Sequence, residues 1–313
     1  MEVNTEIHVP ISLNANFANM SYFLVKSIAA NAALPGDWRV VFTVSRDTDW
    51  DLDHPNLAWA KAYPVEFRWV DQAHWDALPT GVHQYISTIL QRQTYEFKSD
   101  VVLFMDADTV VYGPLTELAR EVATSDMIFG WPAWQPPGVD LNEVIVARGC
   151  ALRDWGVTYS GYGLAFLSPK SCPPYFNFGF IAMSNGVARR AARDYPPELD
   201  FVVANYPDWF ATQIALCLMI LRNNYAFRIL DMRYNFGNGD FPGQILAGPE
   251  ADAAFARAIA LYEDVRVVHY CAATEAFNKS RDMGSWERIT RFCEREGLVS
   301  GNALLQKAFK KLL

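Results

Sequence analysis

The sequence predicts an α/β fold with a doubly wound, mixed but mostly parallel sheet, and three observations support this prediction. Hydrophobic runs of strand length are continuous rather than alternating, as in strands that are buried on both faces of a sheet. Segments with helical spacing lie between these runs, which gives the order of elements in a doubly wound half. Beyond the first third of the chain this regular alternation ends, which indicates added structure on the same sheet.

The first third of the chain contains the clearest elements. Four hydrophobic runs are predicted strands, at residues 7–11, 40–44, 67–70 and 101–105. Two segments have the spacing of helices, at residues 20–33 and 86–97. Because Pro10 lacks a backbone N–H, the first strand is predicted to end at that residue.

The rest of the chain is less regular. Two stretches rich in proline and glycine, 131–140 and 168–174, bracket a segment without firm periodicity, which we expect to be a long surface excursion. After it come a predicted strand at 178–183, a helix at 210–221, short apolar runs at 227–230 and 265–270, and helices from residue 286. We expect one domain, residues 1–313, with an inserted subregion, divided into residues 1–115, residues 116–285 and a helical tail at 286–313.

Composition excludes several classes of protein. The chain of 313 residues is 51% hydrophobic and 20% charged, the balance of a globular protein with a sizeable core. Its formal net charge of −8 makes nucleic acid a poor candidate partner. The N-terminal segment lacks the basic and long apolar regions of a signal peptide, and no stretch has the length of a membrane span. We therefore expect a cytoplasmic protein, with its scattered cysteines reduced.

The sharpest local motif is a strand that runs directly into two carboxylates. The predicted strand 101–105 continues into Asp106-Ala107-Asp108. Residues two apart in extended backbone point to the same side, so both carboxylates reach one ion beyond the strand's carboxyl end, where open α/β sheets bind ligands. Carboxylates suit a hard divalent cation, Mg²⁺ or Mn²⁺, whose coordination is commonly completed by substrate phosphates.

The same spacing of aspartates occurs at Asp47/Asp49 and Asp51/Asp53. These residues lie in a polar stretch beyond a predicted strand, and we interpret them as a solvated acidic loop. The strand-end pair is also similar to the motif of haloacid-dehalogenase phosphatases, in which the first aspartate is a nucleophile and the second a general acid. That motif opens the phosphatase fold, whereas three predicted strands precede it here. A phosphatase remains the alternative enzyme class.

Five segments decide between these classes by their order along the chain. They are FMDADTVVYGPL at 104–115, YFNFGF at 175–180, Gln213 on a helix, RYNF at 233–236 and VVHYC at 267–271. In this order they resemble glycosyltransferase family 8, the group of glycogenin-like and bacterial lipopolysaccharide galactosyl- and glucosyltransferases. The resemblance implies a GT-A-like fold. It also implies that Asp106, Asp108 and His269 bind Mn²⁺ (or Mg²⁺), which holds the diphosphate of a nucleotide-sugar.

The resemblance implies roles for further residues in the donor site. Asn177 matches a sugar-contacting asparagine, and Gln213 matches a glutamine on the later helix, so both are candidate catalytic residues. Asn14 and Phe17 lie where the family contacts the nucleotide base. Ala107, between the two metal-binding aspartates, belongs to the same donor-binding motif.

The chain departs from the family pattern at three places in this site. The family's D-x-D-N-Y-like start near the nucleotide base is Asn14-Ala15-Asn16-Phe17 here. The family has a K-P-W segment after the histidine, whose lysine contacts the diphosphate. The chain has no lysine at that position, and Lys279 or Arg281 is the candidate replacement. Where the family has Asp-Gln on the later helix, this chain has Thr212-Gln213.

These features together predict a metal-dependent glycosyltransferase. It would move a hexose from a nucleoside-diphosphate sugar, with UDP favoured, to a carbohydrate or lipid-linked acceptor, with retention implied by the family. Residues 1–115 would form the nucleotide-binding half and 116–285 the acceptor and sugar half, with acceptor contacts from 133–174. A nucleotide-sugar-binding protein of the same fold without turnover is the non-enzymatic alternative.

The C-terminal segment suggests one more partner. Residues 302–313 have the pattern of a short amphipathic helix with Lys307, Lys310 and Lys311 clustered on it. A basic face of this kind is by default solvated, and an anionic membrane surface is its alternative partner, beside the expected cytoplasmic location.

Overall fold

The structure, a computed structural model, describes residues 2–77, 83–133, 138–152, 173–206, 210–238, 264–298 and 300–313. The strands in these ranges are β1 (Thr5–Ile11), β2 (Trp38–Val44), β3 (Val65–Trp69), β4 (Val101–Met105), β5 (Thr109–Val111), β6 (Met127–Pro132), β7 (Phe176–Ser184), β8 (Ala226–Ile229), β9 (Phe236–Gly237) and β10 (Val267–His269). The α-helices are α1 (Ala15–Asn31), α2 (Gln72–Asp76), α3 (His83–Gln93), α4 (Thr116–Ala123), α5 (Leu141–Ala147), α6 (Asn185–Asp194), α7 (Pro196–Asn205), α8 (Ala211–Arg222), α9 (Lys279–Asp282), α10 (Trp286–Glu294) and α11 (Ser300–Leu312). In the same described ranges, 3₁₀ helices span Pro55–Ala62 and Met232–Tyr234.

Within these ranges, seven strands form one sheet in the order β3-β2-β1-β4-β7-β6-β8. β3, β2, β1 and β4 are parallel, β7 is antiparallel to both of its neighbours, and β8 is parallel to β6. The predicted mixed and mostly parallel sheet is therefore confirmed. The four strands predicted in the first third of the chain are all present, and β4 has its predicted bounds.

The prediction that the first strand ends at Pro10 is wrong. β1 continues to Ile11, and its last two residues pair with Thr43 and Val44 of β2. The pairing with β4 on the other side ends at His8. Pro10 therefore pairs with β2 only. On its other side the pairing with β4 has already ended, so the missing N–H costs no hydrogen bond there.

Two hydrophobic clusters cover the two faces of the large sheet. Successive residues of β4 belong to different clusters, with Leu103 in the first and Phe104 in the second. Helices α1, α4, α10 and α11 contribute to the first cluster, and α3, α5, α6, α7 and α8 to the second. Burial on both faces explains why the strands are continuous hydrophobic runs rather than alternating ones.

The expectation of an irregular surface segment in the middle of the chain is wrong for one part of that segment. Helix α5 lies inside it, begins at the cap residue Asp140 and packs Val144 and Ile145 into the second cluster. A helix of seven residues is too short to show helical periodicity in the sequence. Most of the remaining excursion, residues 134–137 and 153–172, lies outside the described residues.

The C-terminal tail is helical, as predicted, and its apolar face is covered by the core. Phe309 stacks on Phe23 of α1 with ring centroids 4.2 Å apart, an arrangement that adds roughly 1 kcal/mol beyond area burial. Lys307 lies over the ring of Tyr112, and Lys311 donates a hydrogen bond to Asn31. No helix in the described ranges is both long enough and apolar enough to cross a membrane.

A small second sheet lies beyond the carboxyl end of β4. In it β10 pairs antiparallel with β5 and parallel with β9. Because β5 follows β4 after three residues, this sheet brings a segment from the end of the chain next to Asp106-Ala107-Asp108. The topology thus joins motifs that are far apart in the sequence.

Candidate metal centre

The two carboxylates of the motif lie in the short connection between β4 and β5. The hydroxyl of Thr109 donates a hydrogen bond of 2.7 Å to the backbone carbonyl of Asp106, which closes the turn. Ala107 is buried within it. This small residue lets the chain turn between the two sheets while both aspartates remain at the end of β4.

Strand pairing fixes the third member of the cluster. His269 lies opposite Thr109 in the β10–β5 pair, and the N–H of Tyr270 donates to the carbonyl of Asp108. Nε2 of His269 is 3.3 Å from Oδ1 of Asp108 and 3.9 Å from Oδ2 of Asp106. One ligand atom from each residue lies within 4.8 Å of the other two. The structure therefore brings together the three residues predicted as metal ligands.

The cluster is mostly buried, and its two carboxylates lie against two basic groups, His269 and Lys279. Burial and the nearby Asp108 carboxylate both raise the pKa of Asp106. Burial by itself also raises the pKa of Asp108, but His269 and Lys279 outweigh this effect and hold the Asp108 pKa below its ordinary value. Two carboxylates with oxygens within 4.8 Å of each other repel by roughly 3 kcal/mol at an effective dielectric constant of about 20. Nearby positive charge is needed to keep both ionised.

The donor set fits a divalent cation. Oδ1 of Asp106 is buried and has no hydrogen-bond partner among the described residues, so one carboxylate oxygen is available to an ion. Two carboxylates and one imidazole are a ligand set that divalent metal ions accept. Within the described part of the chain, this is the group of three acidic or imidazole side chains close enough to hold a metal.

Lys279 lies at the edge of this cluster. It begins the short helix α9, which is capped by the side chain of Asn278, and its ammonium contacts Oδ2 of Asp108. Burial by itself lowers the pKa of Lys279, but Asp108 outweighs this and raises it, so the lysine stays charged. The predicted diphosphate contact therefore lies beside the metal ligands, whereas Arg281 pairs with Asp282.

Asn177 is linked to the cluster by Asn235, a residue for which the sequence predicted no role. Oδ1 of Asn177 accepts hydrogen bonds from the N–H of Gly179 at 2.7 Å and from Nδ2 of Asn235 at 2.9 Å. Oδ1 of Asn235 lies 2.8 Å from Nδ1 of His269. The RYNF segment supports the family resemblance through its order in the chain, but no sequence pattern predicts that its asparagine contacts the histidine.

A second unassigned residue lies behind the aspartates. Arg92 of α3 is almost completely buried, and its guanidinium donates to the carbonyl of Met105 at 3.0 Å and to that of His8 at 3.3 Å. The arginine therefore places a buried positive charge next to the end of β4, one residue before Asp106. Its helical position next to polar residues did not distinguish it from a surface arginine.

The two residues predicted at the nucleotide base have local structural roles. Oδ1 of Asn14 accepts from the N–H of Phe17 and caps helix α1, and Phe17 packs partly buried against the first hydrophobic cluster. Asn14 also lines an open groove of about 620 Å³ that continues to Ser280 and Arg281. The groove therefore runs from the start of α1 to α9 and the start of α10.

Gln213 lies on the first turn of α8 and, among the described residues, forms no hydrogen bond to the metal cluster. Its Oε1 is buried without a hydrogen-bond partner in this part of the chain, as is the hydroxyl oxygen of the preceding Thr212.

The pair Asp47/Asp49, unlike Asp106 and Asp108, is exposed, in agreement with its interpretation as a solvated loop. The structure thus separates the acidic pairs that share one sequence spacing.

Comparisons with known proteins identify the fold. No model of a protein family matches the chain, and no curated protein matches it by sequence. A glutamine-to-glutamate active-site mutant of LgtC matches with a TM-score of 0.53 at 17% identity, over 92% of this chain and 94% of that one. The galactosyltransferase LgtC in complex with donor and acceptor sugar analogues matches with a TM-score of 0.51 at 18% identity, over 98% of this chain and 100% of that one. Mouse xyloside xylosyltransferase 1 matches with a TM-score of 0.53 at 14% identity, over 86% and 98%. The chain therefore has the fold of these glycosyltransferases, the GT-A fold.

Proposed function

We propose that the protein is a metal-dependent glycosyltransferase of the family 8 type. It transfers a hexose from a UDP-sugar to a carbohydrate or lipid-linked acceptor. The observation that carries this proposal is the cluster of Asp106, Asp108 and His269 at the carboxyl end of β4. In an open α/β sheet this edge is where ligands bind, and the cluster has the composition of a site for a divalent cation.

The residues of the site divide the work of holding the donor. A bound divalent ion supplies positive charge to the diphosphate that leaves with the nucleoside. Asp106, Asp108 and His269 hold that ion at a buried position, where charge interactions are stronger than in water. Lys279 is close enough to contribute its ammonium to the same phosphates. Asn14 and Phe17 contribute to the base-binding end, and Asn14 lines the groove that continues to Ser280 and Arg281.

The stereochemical part of the proposal rests on Gln213 and Thr212. A glutamine amide is a poor nucleophile, and the acid that precedes it in the family is a threonine here. In the LgtC mutant, the substituted glutamine is an active-site residue of that enzyme. We infer that Gln213 has a corresponding place here, that Asn177 contacts the transferred sugar, and that the acceptor attacks from the face that the diphosphate leaves. This route gives retention without a protein nucleophile.

The part of the proposal that concerns the acceptor rests on the division of the chain into two halves. Residues 1–115 form the nucleotide-binding half, and 116–285 supply the acceptor and sugar contacts, mainly from 133–174. The LgtC complex with sugar analogues supports a nucleotide-sugar donor and a glycan acceptor. A membrane contact through the lysines of α11 depends on charge alone, since the apolar face of this helix packs against the core.

The alternatives are less well supported. A haloacid-dehalogenase phosphatase has no use for the imidazole beside its aspartates, and the chain has the fold of glycosyltransferases. A sugar-nucleotide-binding protein without turnover has the same fold and the same cluster, so only an assay of transfer separates it from an enzyme.

The test combines ligand stabilisation with turnover. The melting temperature is measured with UDP and with GDP, each with and without Mn²⁺, and release of UDP is measured from UDP-glucose and UDP-galactose with and without candidate glycan acceptors. We expect UDP to stabilise the protein only when Mn²⁺ is present, and turnover to require both. Stabilisation without any turnover would support the binding protein, and hydrolysis of a phosphomonoester would support the phosphatase.

A further inference from the structure

A short chain of hydrogen bonds leads from a backbone amide to the imidazole of His269. The N–H of Gly179 donates to Oδ1 of Asn177 at 2.7 Å, and Nδ2 of Asn235 donates to the same oxygen at 2.9 Å. Oδ1 of Asn235 faces Nδ1 of His269 at 2.8 Å. The two residues at the end of this chain, Asn235 and His269, are 4% and 5% exposed, so water does not replace these bonds readily.

The direction of donation along this series of hydrogen bonds is fixed by its first bond. A backbone N–H can only donate, so the atom of Asn177 next to Gly179 must be the carbonyl oxygen. The atom of Asn235 that meets this oxygen must then be its amide nitrogen, and the carbonyl oxygen of Asn235 must face His269. An oxygen without a hydrogen requires a donor, so Nδ1 of His269 carries the proton.

From this logic we propose that Asn235 is a positioning residue that fixes the tautomer and orientation of His269. With its proton on Nδ1, the neutral ring presents the lone pair of Nε2 to the space between Asp106 and Asp108. A metal-binding histidine commonly donates its other N–H to an oxygen in this way. This role deepens the proposed function and rests on it, since the presented lone pair is useful only to a cation.

The position of Asn235 is itself well determined. It follows the 3₁₀ helix Met232–Tyr234, which is capped by the side chain of Asp231, and it immediately precedes β9. Arg233 pairs with Asp231 and with Asp264, near the start of β10. The turn that carries Asn235 is thus tied to the segment that carries His269, so the two side chains keep their relative position.

The opposite tautomer conflicts with this arrangement. If Nδ1 of His269 carried the lone pair, Asn235 would have to turn its amide nitrogen toward the ring. Its carbonyl oxygen would then face Oδ1 of Asn177, which is held as an acceptor by the N–H of Gly179. Two buried acceptor oxygens in contact are unfavourable, so this state is disfavoured.

Three variants separate positioning from general packing. Asn235→Ala removes the acceptor, whereas Asn235→Asp keeps an acceptor oxygen toward His269 and loses the donor to Asn177. Asn302→Ala is the control, because Asn302 is a buried asparagine of α11 whose side chain bonds to Thr274 and Asn238 rather than to the His269 ring. Melting curves without metal are recorded for all three proteins.

The first readout needs no metal. Nitrogen-15 NMR of histidine-labelled protein, at a pH where the His269 ring is neutral, reports which ring nitrogen carries the proton. We expect the proton on Nδ1 in the wild type, in Asn235→Asp and in Asn302→Ala, and a mixture of tautomers in Asn235→Ala. A wild-type ring protonated on Nε2, or no change in Asn235→Ala, overturns the proposal.

The second readout is calorimetric titration with Mn²⁺ in the presence of UDP. We expect affinity to fall about 10- to 100-fold in Asn235→Ala and to stay near the wild-type value in Asn302→Ala. Asn235→Asp should lie between them, because it keeps the acceptor toward His269 but turns its second oxygen toward Oδ1 of Asn177. If Mn²⁺ binds the wild type, depends on His269 and is unaffected by Asn235→Ala, the positioning role is wrong while the proposed function stands. If Mn²⁺ does not bind the wild type at all, the proposed function fails, and with it the use of the fixed tautomer.

Discussion

Gly179 and His269 approach so closely that the glycine position has no room for a side chain. A Cβ atom on Gly179 would lie 2.4 Å from Nδ1 of His269 and 2.8 Å from Oδ1 of Asn177. Contacts under about 3 Å do not occur at real Cβ atoms, so one group would have to move. The imidazole stands at the end of β10 only because β7 has a glycine beside it.

We predict that Gly179→Ala displaces the histidine ring. Mn²⁺ affinity should fall at least about tenfold in calorimetric titration, because the ring either tilts or loses its bond to Asn235. The matched control is Gly186→Ala in α6, where an added Cβ meets no atom of the described residues within 4 Å. That change should leave Mn²⁺ affinity unaltered and stabilise the helix by up to about 1 kcal/mol. Equal Mn²⁺ affinity in both variants would contradict the structural role of Gly179.

Lys279 is predicted to compete with the metal for Asp108. Its ammonium contacts Oδ2 of Asp108, so Lys279→Met should raise Mn²⁺ affinity several-fold when no nucleotide is present. The same variant should weaken UDP binding in the presence of Mn²⁺, since the diphosphate loses a positive charge. Lys61→Met, on the exposed face of a 3₁₀ helix, should change neither value. A parallel loss of both affinities in Lys279→Met would show that the lysine only maintains the fold.

The fold should lose stability in acid through Glu6. Burial raises the pKa of this carboxyl, but its interactions with His8 and Arg39 and the backbone N–H of Lys98 outweigh burial and lower the pKa to about 2. The stabilisation is therefore complete above the ordinary pKa of 4.5 and is lost as pH falls toward 2.

Urea unfolding between pH 7 and pH 2.5 tests this prediction. The free energy of unfolding of Glu6→Gln should be lower than that of the wild type at pH 7, and the two should converge in acid. Glu2→Gln, at an exposed position, is the control and should follow the wild type throughout. A difference between Glu6→Gln and wild type that stays constant with pH would indicate a packing effect of Glu6 rather than a charge effect.

Local sequence patterns were sufficient for the elements that are decided locally. The strand at 101–105 has its predicted bounds because a continuous apolar run ends abruptly at two aspartates. The end of the first strand was predicted wrongly at Pro10. A missing N–H costs a hydrogen bond only if a neighbouring strand is paired on that side, and this depends on the register of the sheet. Helix α5 was missed because seven residues carry too little periodicity.

The candidate site likewise contains residues that local sequence predicts and residues that only the fold brings together. The carboxylates of Asp106 and Asp108 are two residues apart, so their common direction follows from backbone geometry. His269 could be assigned only through the resemblance, because its proximity depends on the pairing of β10 with β5. The roles of Asn235 and Arg92 required the packed structure, since each acts through a contact between segments that are distant in sequence.

Anomalous diffraction from a crystal of the protein with Mn²⁺ and UDP tests the central claim most directly. The measurement locates manganese without assumptions about activity or acceptor. We predict one strong anomalous peak about 2 Å from a carboxylate oxygen of Asp106, a carboxylate oxygen of Asp108 and Nε2 of His269, with the diphosphate of UDP on its open side. A peak at the acidic loop 47–53, or ordered UDP without manganese at the cluster, would contradict the account.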